Sequence, residues 1–287
     1  MSAGDRICVT GARGRLGSAL LQLLPEAIPW SRPDYDLDDA QAAAALVERD
    51  RPSTVIHAAA WTDVDGCARQ PELAQRRNGE AVAELAAACA ARAVQLVVVS
   101  TNEVFNGDRT DGRGYRAKDS LDPRNSYGAS KARGEQEARA AMPADGLWIV
   151  RTAWLYGPPG LDFPAKILRA ADALPPNEAL PVVEDEWGSP TYAPDLAAAL
   201  VALLGRTSGG TFHLVNTGAA TRLSWAQRVL ERCRPGRRIR PISRQDFQRA
   251  SRVPAWAVLE CGPAEERGGV SMRSWQATLD EYLPSIC

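Results

Sequence analysis

Short, uninterrupted apolar segments alternate with alanine-rich helical segments through the first half of this 287-residue chain. The segments 6–10, 54–57, 96–100 and 147–150 lack the polar residue at every second position that marks a strand with one face in water. Strands that are buried on both faces occur in parallel sheets covered by helices. The alternation therefore predicts an α/β fold built on a doubly wound parallel sheet.

Helices are predicted between these strands, because alanine is abundant there and apolar residues recur at helical spacing. A weaker strand contains a proline, which removes one backbone hydrogen-bond donor from the sheet. The predicted helices cover residues 16–24, 39–49, 72–92 and 127–141, and the weaker strand covers residues 27–30.

The regular alternation ends after Arg151, where two proline-rich segments indicate loops. One more helix, at 195–204, and one more strand, at 211–215, are predicted beyond that point. The chain then continues in short elements and ends in a predicted helix at 274–282. We interpret this part of the chain as a smaller, partly interleaved lobe that can close over a ligand.

The composition excludes several classes of protein. Lys and Arg total 34 and Asp and Glu total 35, so the net charge of −1 lacks the basic excess of a nucleic-acid-binding protein. No segment approaches the roughly 18 apolar residues that a membrane-spanning helix needs. The first five residues leave no room for a signal peptide before the first predicted strand. We therefore expect a cytoplasmic protein with no nucleic-acid or membrane partner.

The cysteines and histidines do not suggest a metal site. Six cysteines are scattered along the chain without a Cys-x-x-Cys pair, and only two histidines are present. A structural zinc site needs four such ligands at close spacing. We expect no metal, and reduced thiols that pack as small hydrophobic side chains.

A glycine-rich loop follows the first predicted strand and precedes the first predicted helix. Its glycines, at positions 11, 14 and 17, allow the backbone to approach a pyrophosphate, which the N-terminus of the helix then binds through its free N–H groups. A tight turn without a ligand is the alternative. The position of the loop in a βαβ unit favours a dinucleotide site. The residues expected to contact the dinucleotide here are Gly11, Arg13, Gly14, Arg15, Leu16 and Gly17.

The end of the second predicted strand indicates which dinucleotide is bound. NAD sites place an acidic residue there to bind the ribose 2′-hydroxyl, whereas this chain has Ser31 followed by Arg32. Arg32 and Arg13 suit a 2′-phosphate, so NADPH is predicted, with NADH left open. Solvated surface arginines are the alternative interpretation. Asp36 and Leu37 are expected to border the adenine.

These observations predict a division of the chain into two parts. Residues 1–152, rejoined by residues 189–216, are expected to form a Rossmann-type dinucleotide-binding domain. Residues 153–188 and 217–287 are expected to form the smaller C-terminal substrate-binding lobe.

A tyrosine and a lysine lie four residues apart, at Tyr127 and Lys131, and therefore on one face of a predicted helix. A phenol is a poor acid at neutral pH because its ordinary pKa is about 10. A neighbouring ammonium is expected to stabilise the phenolate and lower that pKa, so that Tyr127 can act as a general acid. Thr101, at the end of the strand 96–100, is placed to hold a carbonyl oxygen beside it.

Five further segments complete a resemblance to a known family. They are residues 57–65, 100–107, 131–135, 151–157 and 188–192. Together with the glycine-rich loop and the Tyr-Gly-Ala-Ser-Lys segment that begins at Tyr127, they resemble the dTDP-4-dehydrorhamnose reductases, which are extended short-chain dehydrogenases/reductases. The resemblance covers nearly the whole chain and is weaker after residue 217.

The resemblance implies an oxidoreductase of deoxysugar nucleotide biosynthesis, which reduces the 4-keto group of a dTDP-linked 6-deoxyhexose with NADPH. It implies that Tyr127 supplies a proton, Lys131 holds the cofactor ribose and Thr101 binds the carbonyl oxygen. The resemblance also leaves open whether the protein forms a homodimer. The further residues that it assigns are Ala58, Ala59, Ala60, Thr62 and Asn78 to the cofactor, and Val64, Asn102, Glu103 and Trp154 to the substrate.

The chain departs from the family pattern after the strand that ends near Thr101. Asn102, Glu103 and Asn106 stand where the family usually has Asp, Tyr and Asp, which leaves the identity of the sugar and the product stereochemistry open. A nucleotide-sugar dehydratase or epimerase is one alternative, although an amide at position 102 cannot donate a carboxylic proton. A non-catalytic, nucleotide-binding regulatory subunit is another, although such a protein has no need of the Tyr127–Lys131 pair.

Overall fold

Six parallel strands form the central sheet of the chain, which a computed structural model describes for residues 6–287. Residues 1–5, for which no signal peptide was predicted, lie outside the described residues. The strands are β1 (Ile7–Thr10), β2 (Ile28–Trp30), β3 (Thr54–His57), β4 (Gln95–Thr101), β5 (Leu147–Thr152), β6 (Leu155–Tyr156), β7 (Leu180–Val183), β8 (Trp187–Gly188), β9 (Thr191–Tyr192), β10 (Gly210–His213), β11 (Ala220–Thr221) and β12 (Ile239–Ile242). The order in the central sheet is β10-β5-β4-β3-β1-β2.

The described residues, 6–287, form ten α-helices, which surround and extend this sheet. They are α1 (Arg15–Leu23), α2 (Ala42–Asp50), α3 (Val64–Arg69), α4 (Pro71–Gln75), α5 (Ala81–Ala90), α6 (Ser126–Ala141), α7 (Phe163–Ala173), α8 (Ala193–Leu204), α9 (Arg222–Cys233) and α10 (Trp275–Tyr282). Helices α1 and α8 pack on one face of the sheet, and α2, α5 and α6 pack on the other. Both faces are therefore covered, which confirms the predicted doubly wound sheet. Within residues 6–287, no helix is both long and apolar enough to cross a membrane.

The central strands are buried almost completely, as their uninterrupted apolar sequences predict. Each residue of β1, β3 and β5 is buried, and these strands pair in parallel with their neighbours along their whole length. The strand β10 extends the sheet beside β5, although it follows four short strands that lie outside the sheet. The predicted strand at 27–30 is present as the edge strand β2, where a proline is tolerated.

The long helix predicted at 72–92 is wrong in one respect, because a π-helical turn at Arg76–Glu80 separates α4 from α5. A π-turn accommodates one additional residue and is common near functional sites. Here it includes Asn78, which is fully buried and hydrogen-bonded outside its own helix. Apolar periodicity does not reveal such an insertion, since both flanking segments are helical.

A second hydrophobic core lies under the elements that follow β5. It joins α7, α9, α10 and β7 around the buried side chains of Tyr156, Trp225, Leu279 and Tyr282. The expectation of reduced thiols is wrong for two cysteines, because Cys233 and Cys287 form a disulfide that ties the end of α9 to the last residue of the chain. Their scattered spacing gave no sign of this pairing. The other four, Cys8, Cys67, Cys89 and Cys261, are free.

Candidate active site

A cavity of about 800 Å³, which we call the first cavity, opens where the strands of the central sheet end. Its walls follow the carboxyl ends of β1, β3, β4 and β5, the edge where open α/β sheets bind ligands. Among the predicted site residues, Asn78 does not line it. The predicted residues that do are Gly11, Arg13, Gly14, Arg15, Leu16, Gly17, Ser31, Arg32, Asp36, Leu37, Ala58, Ala59, Ala60, Thr62, Val64, Thr101, Asn102, Glu103, Tyr127, Lys131 and Trp154.

The glycine-rich loop leaves no room for side chains. Gly11 has a φ of +64°, and a Cβ built on it would lie 2.8 Å from the backbone of Ala59. A Cβ on Gly17 would lie 2.2 Å from the carbonyl oxygen of Gly11. Gly14 is the N-cap of α1 without a capping side chain, so the first N–H groups of that helix are free to bind an anion. This bare, positively polarised backbone fits a dinucleotide pyrophosphate.

Two exposed arginines flank this loop. Arg13 and Arg32 both line the first cavity, and neither forms an ion pair among residues 6–287. An arginine that serves the fold alone is commonly paired with a carboxylate or capped by backbone oxygens, whereas these two guanidinium groups keep their donors. They therefore fit a 2′-phosphate on the dinucleotide ribose.

Asn78 lies behind the wall that the residues after β3 form. Its carboxamide accepts a hydrogen bond from the Trp61 backbone nitrogen at 2.8 Å and donates one to the Trp61 carbonyl oxygen at 3.0 Å. It also donates to the Ser130 hydroxyl on α6 at 3.2 Å. Asn78 thus fixes the segment from Ala58 to Thr62 against α6, and its predicted place beside the cofactor is corrected to this supporting position.

Thr101, Tyr127 and Lys131 all line the first cavity, and the Thr101 hydroxyl is hydrogen-bonded to the Tyr127 phenol. Thr101 is the last residue of β4, and Tyr127 and Lys131 lie one turn apart on α6, which packs against that strand. Asn125 caps α6 by accepting a hydrogen bond from the Gly128 nitrogen at 2.8 Å, which fixes where the helix begins. The ammonium of Lys131 donates to the Val99 carbonyl oxygen at 2.7 Å.

The predicted lowering of the Tyr127 pKa by Lys131 is wrong. Burial, and then the negative charge of Glu103, raise the pKa of Tyr127 well above its ordinary value, and only a hydrogen bond with Thr101 opposes them. Burial also lowers the pKa of Lys131 to about 8, against the smaller opposing effect of Glu135. Tyr127 is therefore a fully protonated phenol at neutral pH, which suits a group that donates a proton to a substrate.

The two residues after Thr101 line the side of the cavity away from the glycine-rich loop. The carboxamide of Asn102 is buried and donates to the Ala257 carbonyl oxygen at 3.0 Å. Glu103 accepts a hydrogen bond from the Asn125 carboxamide at 2.6 Å. Burial raises the pKa of the Glu103 carboxyl above its ordinary value, and the nearby arginines Arg249 and Arg222 lower it by less.

Trp154 is held in an uncommon backbone conformation. Its φ of +43° lies in the left-handed region, which costs a non-glycine residue roughly 1–2 kcal/mol. The indole stacks on Trp225 with a centroid separation of 5.7 Å and lies directly against Gly188, where a Cβ would come within 2.4 Å of the ring. The surrounding packing thus imposes this conformation and directs the indole into the cavity wall.

Arg222 is a cavity residue that the sequence did not single out. Its guanidinium carbon lies 3.7 Å above the Trp154 ring, and its Nε lies 3.6 Å from a carboxylate oxygen of Glu186. Burial lowers the pKa of Arg222 to about 10, so it stays charged at neutral pH. It begins α9, nearly seventy positions after Trp154, and no local motif marks it. The other lining residues that were not predicted are Tyr35, Trp61, Arg77, Val99, Ser100, Thr152, Ala153, Leu155, Leu161, Asp162, Phe163 and Lys166.

No group of three or more His, Cys, Asp or Glu side chains capable of holding a metal ion occurs in the described part of the chain, residues 6–287. The first cavity is lined by the phenol of Tyr127, the hydroxyl of Thr101 and the ammonium of Lys131, together with the glycine-rich loop.

The chain is similar to known proteins over nearly its whole length. The family described as RmlD substrate binding domain matches residues 5–286. The dTDP-4-keto-6-deoxy-D-glucose reductase of Streptomyces niveus is 37% identical, and the alignment covers 98% of each chain. The dTDP-4-dehydrorhamnose reductase of Streptomyces griseus is 36% identical over 98% of this chain and 94% of that one.

A solved structure extends the similarity to three dimensions. The dTDP-4-dehydrorhamnose reductase of Bacillus anthracis, in complex with NADP, superposes with a TM-score of 0.90 at 31% identity and covers 98% of this chain and 99% of its own. The similarity spans the central sheet and the elements after it. This chain belongs to the dTDP-4-dehydrorhamnose reductase family of extended short-chain dehydrogenases/reductases.

Proposed function

We propose that this protein reduces the 4-keto group of a dTDP-linked 6-deoxyhexose with NADPH, in the biosynthesis of a deoxysugar nucleotide. The observation that carries the proposal is the meeting of a protonated phenol, a threonine hydroxyl and a buried ammonium beside the glycine-rich loop. The relatives named above carry the same activity in their names, and the solved relative contains NADP.

The glycine-rich loop and the N-terminus of α1 would hold the pyrophosphate, and Arg13 and Arg32 would hold the 2′-phosphate. When bound, NADPH supplies a hydride to the carbonyl carbon. NADH is a weaker alternative, since neither arginine would then have an anionic partner. Residues 1–152 with 189–216 would bind the dinucleotide, and 153–188 with 217–287 would cover the sugar.

Thr101 and Tyr127 would act on the carbonyl oxygen. The Thr101 hydroxyl would donate a hydrogen bond to it, and the Tyr127 phenol would transfer its proton to it as the alkoxide develops. A raised phenol pKa keeps that proton in place until the oxygen becomes basic. Lys131, whose ammonium is charged below its pKa of about 8, would hold the cofactor ribose through hydrogen bonds.

The two alternative functions lack a supporting observation of their own. Dehydration requires an acid where Asn102 stands, and the Asn102 carboxamide is already bonded to the backbone of Ala257. A regulatory subunit would need the nucleotide site but not the Tyr127–Lys131 pair. A cytoplasmic location and a homodimer stay predictions.

Substitution of Tyr127 by Phe tests the proposal, because it removes the proton donor and leaves the ring. With dTDP-4-keto-L-rhamnose as substrate, we expect NADPH oxidation to slow by about 10²- to 10⁴-fold, as for the loss of a general acid. The dissociation constant of NADPH should change less than twofold. Tyr192→Phe is the matched control, because Tyr192 does not line the first cavity. Wild-type turnover by the Tyr127→Phe protein would overturn the role of Tyr127.

A further inference from the structure

A second cavity, of about 880 Å³, shares no lining residue with the first. It lies between β10, the end of α6 and the loop segments 116–121 and 260–267. We propose that this second cavity binds a small polyanion, a molecule that carries two or more phosphate or carboxylate groups.

Cationic side chains outnumber acidic ones around the second cavity. Two of the acidic groups are already engaged, since Glu260 lies 3.1 Å from Arg116 and Asp119 lies 2.9 Å from an arginine outside the lining, Arg109. The third, Glu266, forms no ion pair within the described residues. Arg139 and Arg151 share the buried Glu135, at 3.3 and 2.7 Å, so Lys118 and Arg267 are the lining cations without an ion pair among residues 6–287. The cationic lining residues are Arg116, Lys118, Arg139, Arg151 and Arg267, and the acidic ones are Asp119, Glu260 and Glu266.

Arg267 is the strongest sign of a missing anion. Its side chain is 93% buried, since the residue keeps 7% of its accessible surface, yet no carboxylate lies within ion-pair distance among residues 6–287. Two of its guanidinium nitrogens donate to the carbonyl oxygens of Gly262 and Val270, and the Nε is buried without any hydrogen-bond partner. A buried, unpaired guanidinium is costly. An anion in the cavity that Arg267 lines would supply the counter-charge.

The chemical class of the ligand follows from how the cations are distributed. Lys118 lies on a loop, Arg139 near the end of α6 and Arg267 on a 3₁₀ turn, so the cations of the lining come from three separate elements and suit a ligand with more than one anionic group. Guanidinium forks match the paired oxygens of phosphates and carboxylates. A volume of about 880 Å³ is in the range of small-molecule sites. These features together favour a metabolite with several anionic groups.

One buried ion pair lies between the second cavity and the charged residue Lys131 of the first cavity. Arg151 lines the second cavity and donates to both carboxylate oxygens of Glu135, at 2.8 and 2.7 Å. Glu135 lies one helical turn beyond Lys131 and is one of the charges that act on its pKa. A polyanion beside Arg151 and Arg139 would therefore change the electrostatic potential at the Lys131 ammonium, which lies in the first cavity.

Isothermal titration calorimetry with inorganic pyrophosphate, and separately with citrate, tests the proposal on the full chain at constant ionic strength. We expect pyrophosphate to bind, and Lys118→Gln and Arg139→Gln each to weaken binding by about tenfold, as for the loss of one charge-assisted contact. Both residues are exposed, so the variants should fold, and a thermal melt checks this. Arg169→Gln is the matched control, because this exposed arginine lines neither cavity, and it should bind like the wild type.

The two anions distinguish the chemical sources. Binding of pyrophosphate alone assigns the site to phosphate groups, whereas equal binding of citrate assigns it to polyanions in general. Pyrophosphate can also enter the glycine-rich loop, so a binding signal that both variants leave within twofold of the wild type would place it there and overturn the proposal. Absence of heat with either anion would overturn it as well.

Discussion

The two sides of the first cavity are built by different means. On one side Gly11, Gly17 and the alanines after β3 shape the cavity by leaving space, and the larger side chains there, Arg13 and Arg32, lie at its edge. On the other side the lining is large and charged, where Trp154 contacts both Arg222 and Trp225 and where Glu103 also faces the cavity. The glycine-rich loop is a single segment of seven residues, Gly11 to Gly17, whereas the aromatic side has no such local core and is assembled from segments far apart.

This difference indicates how each side tolerates change. The glycine side fits a pyrophosphate, which every dinucleotide contains. Any side-chain atom added on this side should therefore interfere with dinucleotide binding. On the aromatic side, large side chains pack against one another. Truncation of one of them should therefore weaken the binding of the sugar substrate without abolishing it. Tyr127 and Lys131 lie between the two sides. The reaction rate that depends on them should respond to pH more than to the packing around them.

The largest effect is expected on the glycine side, from Gly17→Ala. The new methyl group would lie 2.2 Å from the Gly11 carbonyl oxygen, so the loop must move away from its dinucleotide-binding shape. We expect the NADPH dissociation constant, measured by fluorescence titration, to rise roughly 100-fold, and the free energy of unfolding to fall by about 1–3 kcal/mol.

Gly205→Ala provides the matched control for this substitution. Gly205 ends α8 with a φ of −76°, and a Cβ there would meet its nearest atom only at 3.7 Å. Its NADPH affinity should equal that of the wild type. If Gly17→Ala also kept wild-type affinity, the glycine side would not be the dinucleotide site.

A smaller effect is expected on the aromatic side, from Trp154→Ala. Removal of the indole takes away the surface on which Arg222 lies, at 3.7 Å, and opens the wall beside Gly188. The KM for the ketosugar should rise about 10- to 30-fold, corresponding to roughly 1.4–2 kcal/mol, while the NADPH dissociation constant stays constant.

Trp187→Ala separates this effect from the general loss of a tryptophan. Trp187 is 39% exposed, packs on Trp256 and does not line the first cavity. Its KM should stay within twofold of the wild type. A rise in the NADPH dissociation constant of the Trp154→Ala protein would contradict the separation of the cavity into two sides.

A graded effect is expected from pH, at Lys131, and near neutral pH it is smaller than the effects of both substitutions. Burial lowers the pKa of Lys131 to about 8, so its ammonium is charged below pH 8 and neutral above it. The value of kcat/KM should therefore be highest below pH 8 and fall toward a tenfold loss per pH unit as the pH rises further. Lys131→Arg should be slower but flat through this range, because a guanidinium stays charged. An undiminished wild-type rate at pH 9.5 would remove Lys131 from this role.

The sequence predicts the glycine side better than the aromatic side, for a physical reason. Gly11 to Gly17 and Tyr127 with Lys131 depend on spacings within one turn or loop, which the chain displays directly. Arg222 reaches Trp154 only after the chain has crossed the sheet again, and the disulfide between Cys233 and Cys287 closes a separation of 54 residues. The raised pKa of Tyr127 comes from burial and from Glu103, neither of which the spacing of Tyr127 and Lys131 could indicate.

The π-turn at Arg76–Glu80 has a consequence for how this family can vary in length. Each residue of a helix turns its successor by about 100°, so loss of one residue from this turn would restore a regular helix and rotate the Asn78 side chain away from Trp61. The segment after β3, which lines the cavity, would then lose its hydrogen bonds to Asn78, although no residue of the cavity lining had changed. Surface substitutions in a helix are usually tolerated, but in this helix a change in the number of residues would itself displace Asn78.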